Sequence, residues 1–405
     1  MKHCVKKFLA LLLALAMVCA LAACAAPSNT DEPALTDKPA ETESPAQTEA
    51  PAETPDPADV DGELILDHEE ELLYAEQFTM TRYQGGYTMF TAACHPDKEF
   101  LIVPEGKSVP ADLADNVVVL QQPLNKITMC STGMVSLIDA INGLDNIATV
   151  GTDVSGWYLD NVIAKLENGE IKFSGKYREP DFEMLTAEGI QLEIDTTMIE
   201  GYPEVLAKYD ELGIPYLIES SSREGHPLGR VEWVKLFGAI MGMDEEAAAY
   251  FNEQAEKVEA VTSADKTDKT AAMFYISSSS GEVYARNGGD YMAQMIGMAG
   301  GNYIMADVNP EKTGNLNTTF EDVYARCIDA DYLFYVNFAQ KFNSIADMIE
   351  YNPLFADFKA VKDGNVFVTA PHFTQSTAAI AGIIEDMHKL FNDPAAETTT
   401  LLKLS

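Results

Sequence analysis

Apolar positions along this chain switch between two rhythms from residue 63 onward. Residues 78–83, 87–92 and 100–103 read as short strands, the first two joined through Gln84-Gly85-Gly86. Residues 117–120 and 126–130 predict two more strands, followed by a helix over 133–142. A βα alternation then takes over: strand 148–151, helix 181–188, buried strand 192–196, helix 203–212 and strand 216–219. Such alternation predicts an α/β lobe with a largely parallel sheet.

The next stretch behaves differently. Trp233, Leu236, Phe237, Ile240 and Met241 recur at intervals of three and four, a helical face. Gly242 marks a break, and Asp244 is placed to cap a second helix running to about 261. The βα rhythm resumes with a strand at 271–277 and continues to about 390. It has strands at 332–337 and 365–369 and helices at 290–297, 320–327 and 377–391. The predicted fold class is α/β: two Rossmann-like lobes with central parallel sheets, joined by a long helical connector. The expected divisions are an N-terminal lobe over 63–227 with an added β-rich element at its start, a connector helix over 228–264, and a C-terminal lobe over 265–395.

The first 62 residues carry no such pattern. Lys2, Lys6 and Lys7 precede an uncharged run over 8–23, shorter than the roughly 20 residues that span a bilayer. The run ends in Leu21-Ala22-Ala23-Cys24, which resembles a bacterial lipoprotein signal: residues 1–23 would be removed and Cys24 acylated. Two acyl chains give stable anchoring where one is marginal. Residues 25–62 hold ten acids, one Lys, seven Pro and no aromatic residue. That composition cannot bury enough apolar area to offset its ordering entropy, so 24–62 reads as a lipidated Cys and a disordered acidic stalk. The expected location is the extracytoplasmic face of the bacterial cell membrane, with the lipid as the only membrane attachment.

Charge narrows the partners. The chain has 27 Lys and Arg against 64 Asp and Glu, a net charge of −37. Nucleic acid and anionic bilayers are excluded as electrostatic partners of the folded surface, and an anionic ligand needs a local cationic cluster. Cys94, Cys130 and Cys327 remain beyond the signal, an odd number without a CxxC spacing. A disulfide between two of them is compatible with the compartment; buried thiols are expected.

Several blocks then carry a resemblance. Pro180-Asp181-Phe182-Glu183-Met184-Leu185 runs into Leu192-Glu193-Ile194, and Gly213-Ile214-Pro215-Tyr216 enters the next strand. Ala299-Gly300-Gly301-Asn302, Phe320-Glu321-Asp322-Val323 and Ala330-Asp331-Tyr332-Leu333 follow in order. Pro353-Leu354-Phe355 and Ala360-Val361-Lys362-Asp363-Gly364-Asn365-Val366-Phe367 complete the set. In this order, behind a lipobox and a stalk, they resemble the substrate-binding proteins of ABC importers in the iron-siderophore, heme and cobalamin family, the helical-backbone class III. The segment 63–125 and the long loop 156–179 have no counterpart in that resemblance.

The resemblance implies a ligand trapped between lobes and delivery to the importer's permease and its ATPase. It implies docking glutamates, one per lobe at a helix start, which map to Glu183 and Glu321 here. An acid in a first helical turn complements the dipole, and Arg–carboxylate pairs fix orientation. Ligand contacts belong on loops at the carboxyl ends of strands. The candidates are Ser131, Thr132, Trp157, Tyr158, Tyr177, Arg178 and Thr197 in the first lobe, and Tyr284, Arg286, Phe338 and His372 in the second. Aromatic walls with one or two Arg suit a bulky chelate, and Arg178 and Arg286 stand out because bases are scarce. His226, beside Pro227 at the connector junction, is a further candidate contact, with capping or packing as the alternative.

Other classes fit less well. A zinc or manganese importer component needs several converging His and carboxylates, and only His68, His95, His226, His372 and His388 remain after the signal. No Gly-x-Ser-x-Gly, His-Glu-x-x-His, P-loop or dinucleotide fingerprint occurs, so no enzyme is expected. The expected function is capture of a ferric siderophore by a monomeric lipoprotein without cofactor or metal site of its own. Corrinoid or heme are the alternative ligands.

Overall fold

The computed structural model describes residues 63–405. The expected signal peptide, Cys24 and the acidic stalk lie outside the described residues. Five strands come first: β1 (Leu66–Glu69), β2 (Phe78–Tyr83), β3 (Thr88–Ala92), β4 (Glu99–Val103) and β5 (Val117–Gln121). They form one sheet in sequence order, antiparallel except for the β4–β5 pair. Alternation explains its buried face, where Phe78, Met80, Phe90 and Phe100 are covered and Phe90 stacks on Phe100 at 4.8 Å. The turn at Gln84–Gly86 needs φ of 80° at Gly85 and 87° at Gly86, which a side chain opposes.

The first lobe's central sheet uses β6 (Ile127–Met129), β7 (Ile147–Val150), β8 (Lys172–Phe173), β11 (Leu192–Thr196) and β12 (Tyr216–Glu219), while β9 (Gly175–Lys176) and β10 (Glu179–Pro180) form a small hairpin. Spatial order is β12-β11-β6-β7-β8, all parallel. Helices α1 (Thr132–Ala140), α2 (Asp160–Asn168), α3 (Phe182–Glu188) and α4 (Pro203–Leu212) provide the crossovers. The chain moves outward from β6 to β8, then returns to the other side of β6 with β11. That reversal opens a crevice above the carboxyl ends of β6 and β11. The long loop of the sequence reading contains α2, ended by Gly169 at φ 81°.

The connector is two helices, α5 (Pro227–Met241) and α6 (Asp244–Thr262). Gly242 turns the chain at φ 71°, as its position suggested, but Met243 occupies the cap position and Asp244 lies in the first turn of α6. Helix α5 is buried nearly all round, with Trp233, Leu236, Phe237 and Ile240 in the core. Two buried glutamates fasten the N-terminal segment to this region. Glu232 accepts the amides of Leu73, Tyr74 and Ala75 at 2.8–2.9 Å, and Glu224 accepts those of Glu76 and Gln77 and the Trp233 indole N–H.

The second lobe's sheet contains β13 (Thr270–Ile276), β14 (Val283–Arg286), β15 (Asn302–Tyr303), β16 (Asn315–Thr318), β17 (Tyr332–Tyr335), β18 (Val366–Thr369) and β19 (Leu401–Lys403). Its path is β16-β14-β13-β17-β18-β19, parallel at β13-β17-β18 and antiparallel toward both edges. Helices α7 (Tyr291–Met298), α8 (Phe320–Cys327), α9 (Ile345–Tyr351), α10 (Lys359–Asp363) and α11 (Ile380–Asn392) complete the lobe. Its sheet therefore continues past residue 395, with Leu401 fully buried on the last strand. The expected fold class holds: two α/β lobes with parallel central strands around a helical connector. Cys94, Cys130 and Cys327 are all free thiols.

Candidate functional site

Four strand ends of the first lobe converge on a cleft of about 510 Å³. Strand β6 delivers Cys130 to Met134, β7 delivers Gly151 and Thr152, β11 delivers Thr196 to Met198, and β12 delivers Glu219, Ser221 and Ser222. Lys176 and Tyr177 close one side from the hairpin, and Arg230 enters from the first turns of α5. The floor is rich in hydroxyls. Arg230 lies 4.3 Å over the Tyr291 ring, gives one Nη1 bond to the Ser221 carbonyl at 3.1 Å, and keeps a buried Nε without a partner.

Across from it, the carboxyl ends of β17 and β18 in the second lobe open a cleft of about 480 Å³ lined by Asn337, Phe338, Lys341, Thr369 and Pro371, with Tyr158 reaching over from the first lobe. Thr374 lines both parts, so the two crevices meet there. Phe338 is half exposed and packs edge-on against Tyr275 at 5.2 Å, and Tyr275 stacks on Tyr284 at 4.9 Å. Of these three rings, Phe338 lines the cleft and the two tyrosines back it.

Known proteins show the same plan. The profile described as periplasmic binding protein matches residues 200–372. A periplasmic heme binding protein from Pseudomonas aeruginosa superposes with a TM-score of 0.54 at 16% identity, covering 69% of this chain and 98% of that one. The petrobactin-binding protein YclQ from Bacillus subtilis gives 0.53 at 14% identity, covering 66% and 92%. An uncharacterized lipoprotein of Methanocaldococcus jannaschii is 28% identical over 69% of this chain and 68% of its own length. The chain has the periplasmic-binding-protein fold.

Within this fold the residues expected from sequence separate into groups. Ser131, Thr132, Tyr177 and Thr197 line the first-lobe cleft, with Ser131 also at the cap of α1. Tyr158 and Phe338 line the second part, whereas Tyr284 lines neither part: it stacks on Tyr275 and donates its hydroxyl to Glu282. Trp157 does not reach the cleft. It is buried in the core and donates its indole N–H to the Thr152 carbonyl at 2.9 Å, because apolar burial outweighs exposure for so large a ring.

Arg178 sits exposed at the turn of the β9–β10 hairpin, and Lys176, two residues earlier, faces the cleft instead. Arg286 is drawn away because β14 runs antiparallel to β13. Its Nη1 binds Asn315 Oδ1 at 2.7 Å, and its Nε lies 4.0 Å from Asp290.

His226 takes the capping role. Its Nδ1 accepts the Leu228 amide at 3.1 Å and its ring stacks on Tyr74 at 4.4 Å, with burial holding its pKa below the usual range. His372 precedes the bridging segment, and its flanking residues Pro371 and Thr374 line the cleft while its ring does not. Glu183 and Glu321 both lie exposed in the first turns of α3 and α8.

The sequence reading missed Cys130, Lys176 and Thr374 as cleft residues. It also missed a buried polar cluster under the floor. Alternation along β11 sends Glu193 and Asp195 to one face, where both are almost wholly buried beside Cys130, whose thiol lies 3.4 Å from Glu193 Oε1. Burial first, and then the mutual repulsion of the two acids, raises the Glu193 pKa; burial raises those of Asp195 and Cys130. The signal was present: two acids alternating within a strand read as buried.

Proposed function

We propose that this protein captures a metal chelate between its lobes and delivers it to the permease of an ABC importer, tethered outside the cytoplasm by acylated Cys24. The observation that carries the reading is the meeting of two strand-end crevices at Thr374, one from each lobe. A hydroxyl-rich floor with Lys176 and Arg230 as its cations, facing Tyr158, Phe338, Lys341 and Lys403 of the second part, favours an oxygen-rich chelate of modest negative charge. A ferric siderophore of hydroxamate type fits this best. A corrinoid is the second reading, because peripheral amides would meet the same hydroxyls and its ring the Tyr158 and Phe338 rings. Heme is a third reading: neither His226 nor His372 lines the cleft, so Tyr177 or Tyr158 would have to serve as its axial ligand. Glu183 and Glu321 serve as the permease contacts in this reading, one on each lobe.

The test is a fluorescence titration of residues 63–405 against ferric hydroxamates, ferric catecholates, cobalamin, heme and Zn²⁺. Both tryptophans are buried, so quenching would report energy transfer to an absorbing chelate rather than contact. Saturable quenching at micromolar ferric hydroxamate or cobalamin, weakened by Arg230→Ala, is expected. No quenching by any chelate would overturn the reading.

A further inference from the structure

Beneath the cleft floor, Cys130, Glu193 and Asp195 bring one ligand atom each to within 4.8 Å of one another. They come from adjacent strands, Cys130 directly after β6 and the acids from β11. Both carboxylates are removed from solvent, at 1% exposure for Glu193 and 0% for Asp195. Three of their four oxygens have no hydrogen-bond partner: Glu193 Oε2 and both oxygens of Asp195. A fourth group is left in the same state. The Tyr209 hydroxyl on α4 is fully buried, without a partner, and faces Cys130, Glu193 and Asp195.

Buried carboxylates are ordinarily paired with a cation, hydrogen-bonded or bound to a metal. No Lys or Arg bonds to either acid among the described residues. Tyr209 stands beside both acids, but no hydrogen bond of good geometry joins its hydroxyl to either of them. The spacing instead suits a cation at the centre. A sulfur at about 2.3 Å and an oxygen at about 2.0 Å from one tetrahedral ion lie about 3.5 Å apart, close to the 3.4 Å between Cys130 Sγ and Glu193 Oε1. Gly151 keeps the place of the thiol open, since a Cβ there would stand 2.7 Å from the sulfur.

We propose that Cys130, Glu193 and Asp195, with the Tyr209 hydroxyl beside them, form a resident site for a borderline divalent cation of the zinc class. The mixed sulfur and oxygen donor set selects against Mg²⁺ and Ca²⁺, which take oxygen alone. The ion would tie β6 to β11 at the point where the strand order reverses, and so fix the floor of the cleft. It is distinct from the cargo, and it stands whichever chelate the cleft takes.

The metal content of residues 63–405 purified with equimolar ZnCl₂ and then desalted tests this, together with the absorption spectrum after Co²⁺ replacement. One zinc per chain and a thiolate-to-cobalt charge-transfer band are expected. Asp195→Asn and Glu193→Gln should each weaken zinc binding at least about tenfold. Should either variant misfold, the wild-type chain still decides: zinc should slow alkylation of Cys130 from the cleft, read by peptide mapping, and EDTA should restore it. A chain without zinc whose Cys130 reacts equally with and without the metal would overturn the proposal. Zinc retained in a folded Glu193→Gln/Asp195→Asn double variant would overturn it as well.

Discussion

Gln375 ties the two lobes together through Tyr158. Its Oε1 accepts the Tyr158 amide at 2.9 Å, and its Nε2 donates to the Gly156 carbonyl at 2.6 Å. The same segment makes two further bonds: the Ala378 amide donates to Ser136 Oγ on α1 at 3.1 Å, and the Tyr250 hydroxyl on α6 donates to the Ala378 carbonyl at 2.8 Å. One short stretch between β18 and α11 thus fastens the first lobe and the connector to the second lobe. A hinge braced this way permits small shifts and resists wide opening.

Gln375→Ala removes both bonds to the 156–158 loop. A loss of about 1–2 kcal/mol is expected from a pair of partly buried hydrogen bonds. Hydrogen exchange at the Tyr158 amide should quicken at least several-fold, while amides of β13 and β17 keep their protection. Unchanged exchange at Tyr158 would remove the brace from the account.

Glu183 and Glu321 can be separated from ligand capture. The double variant Glu183→Lys/Glu321→Lys should abolish uptake in cells and leave chelate affinity within about twofold, since neither residue lines the cleft and exposed charges contribute little. Equal loss of affinity and uptake would assign these residues to the cleft or to folding instead.

His95 makes stability depend on pH. It is buried, its Nε2 accepts the Ile218 amide at 2.8 Å, and burial lowers its pKa to about 4. Because the folded value lies below the unfolded one, the unfolded chain binds the extra proton first as pH falls. The stabilisation is complete above about pH 6.5 and is lost progressively toward pH 4, on the order of 3 kcal/mol in all. Subtracting the urea stability of His95→Gln from that of the wild type across this window should show the slope. A flat difference would exclude His95 as its source.

Glu232 is the anchor of the N-terminal segment. Replacing it with Ala strands the amides of Leu73, Tyr74 and Ala75 and leaves Lys235 without its partner at 2.9 Å. A loss of about 3 kcal/mol is expected, since a removed buried acceptor leaves its donors unsatisfied. Limited proteolysis should then cut near residues 70–77 before the rest of the chain. Cleavage no faster than in the wild type would show that the five-stranded sheet holds the segment unaided.

Much of the fold was legible because its signals are local. The strands at 192–196 and 216–219 and the helices at 203–212 and 320–327 fall within the bounds read from periodicity. Elements without a clean period were missed. β1 is exposed along its whole length, α2 buries only Val162, and β14 and β16 are antiparallel additions toward one edge of the sheet. The cleft was half legible. Strand-end residues such as Ser131, Thr132 and Thr197 were reachable because parallel strands place their following loops on one rim.

By itself the sequence determined the order of elements, the break at Gly242 and the two-lobed plan, because helical and strand periodicities act between residues a few positions apart. The tertiary structure decided which side chains meet. It turned Trp157 into the core, left Arg178 at a hairpin tip, and brought Arg230 rather than Arg286 to the cleft. It also set Cys130 against Glu193 and Asp195, and Leu73 against Glu232, a residue 159 positions away. Strand order, the direction of β14 and the packing of α5 fix those encounters. None of them leaves a mark in the spacing of residues along the chain.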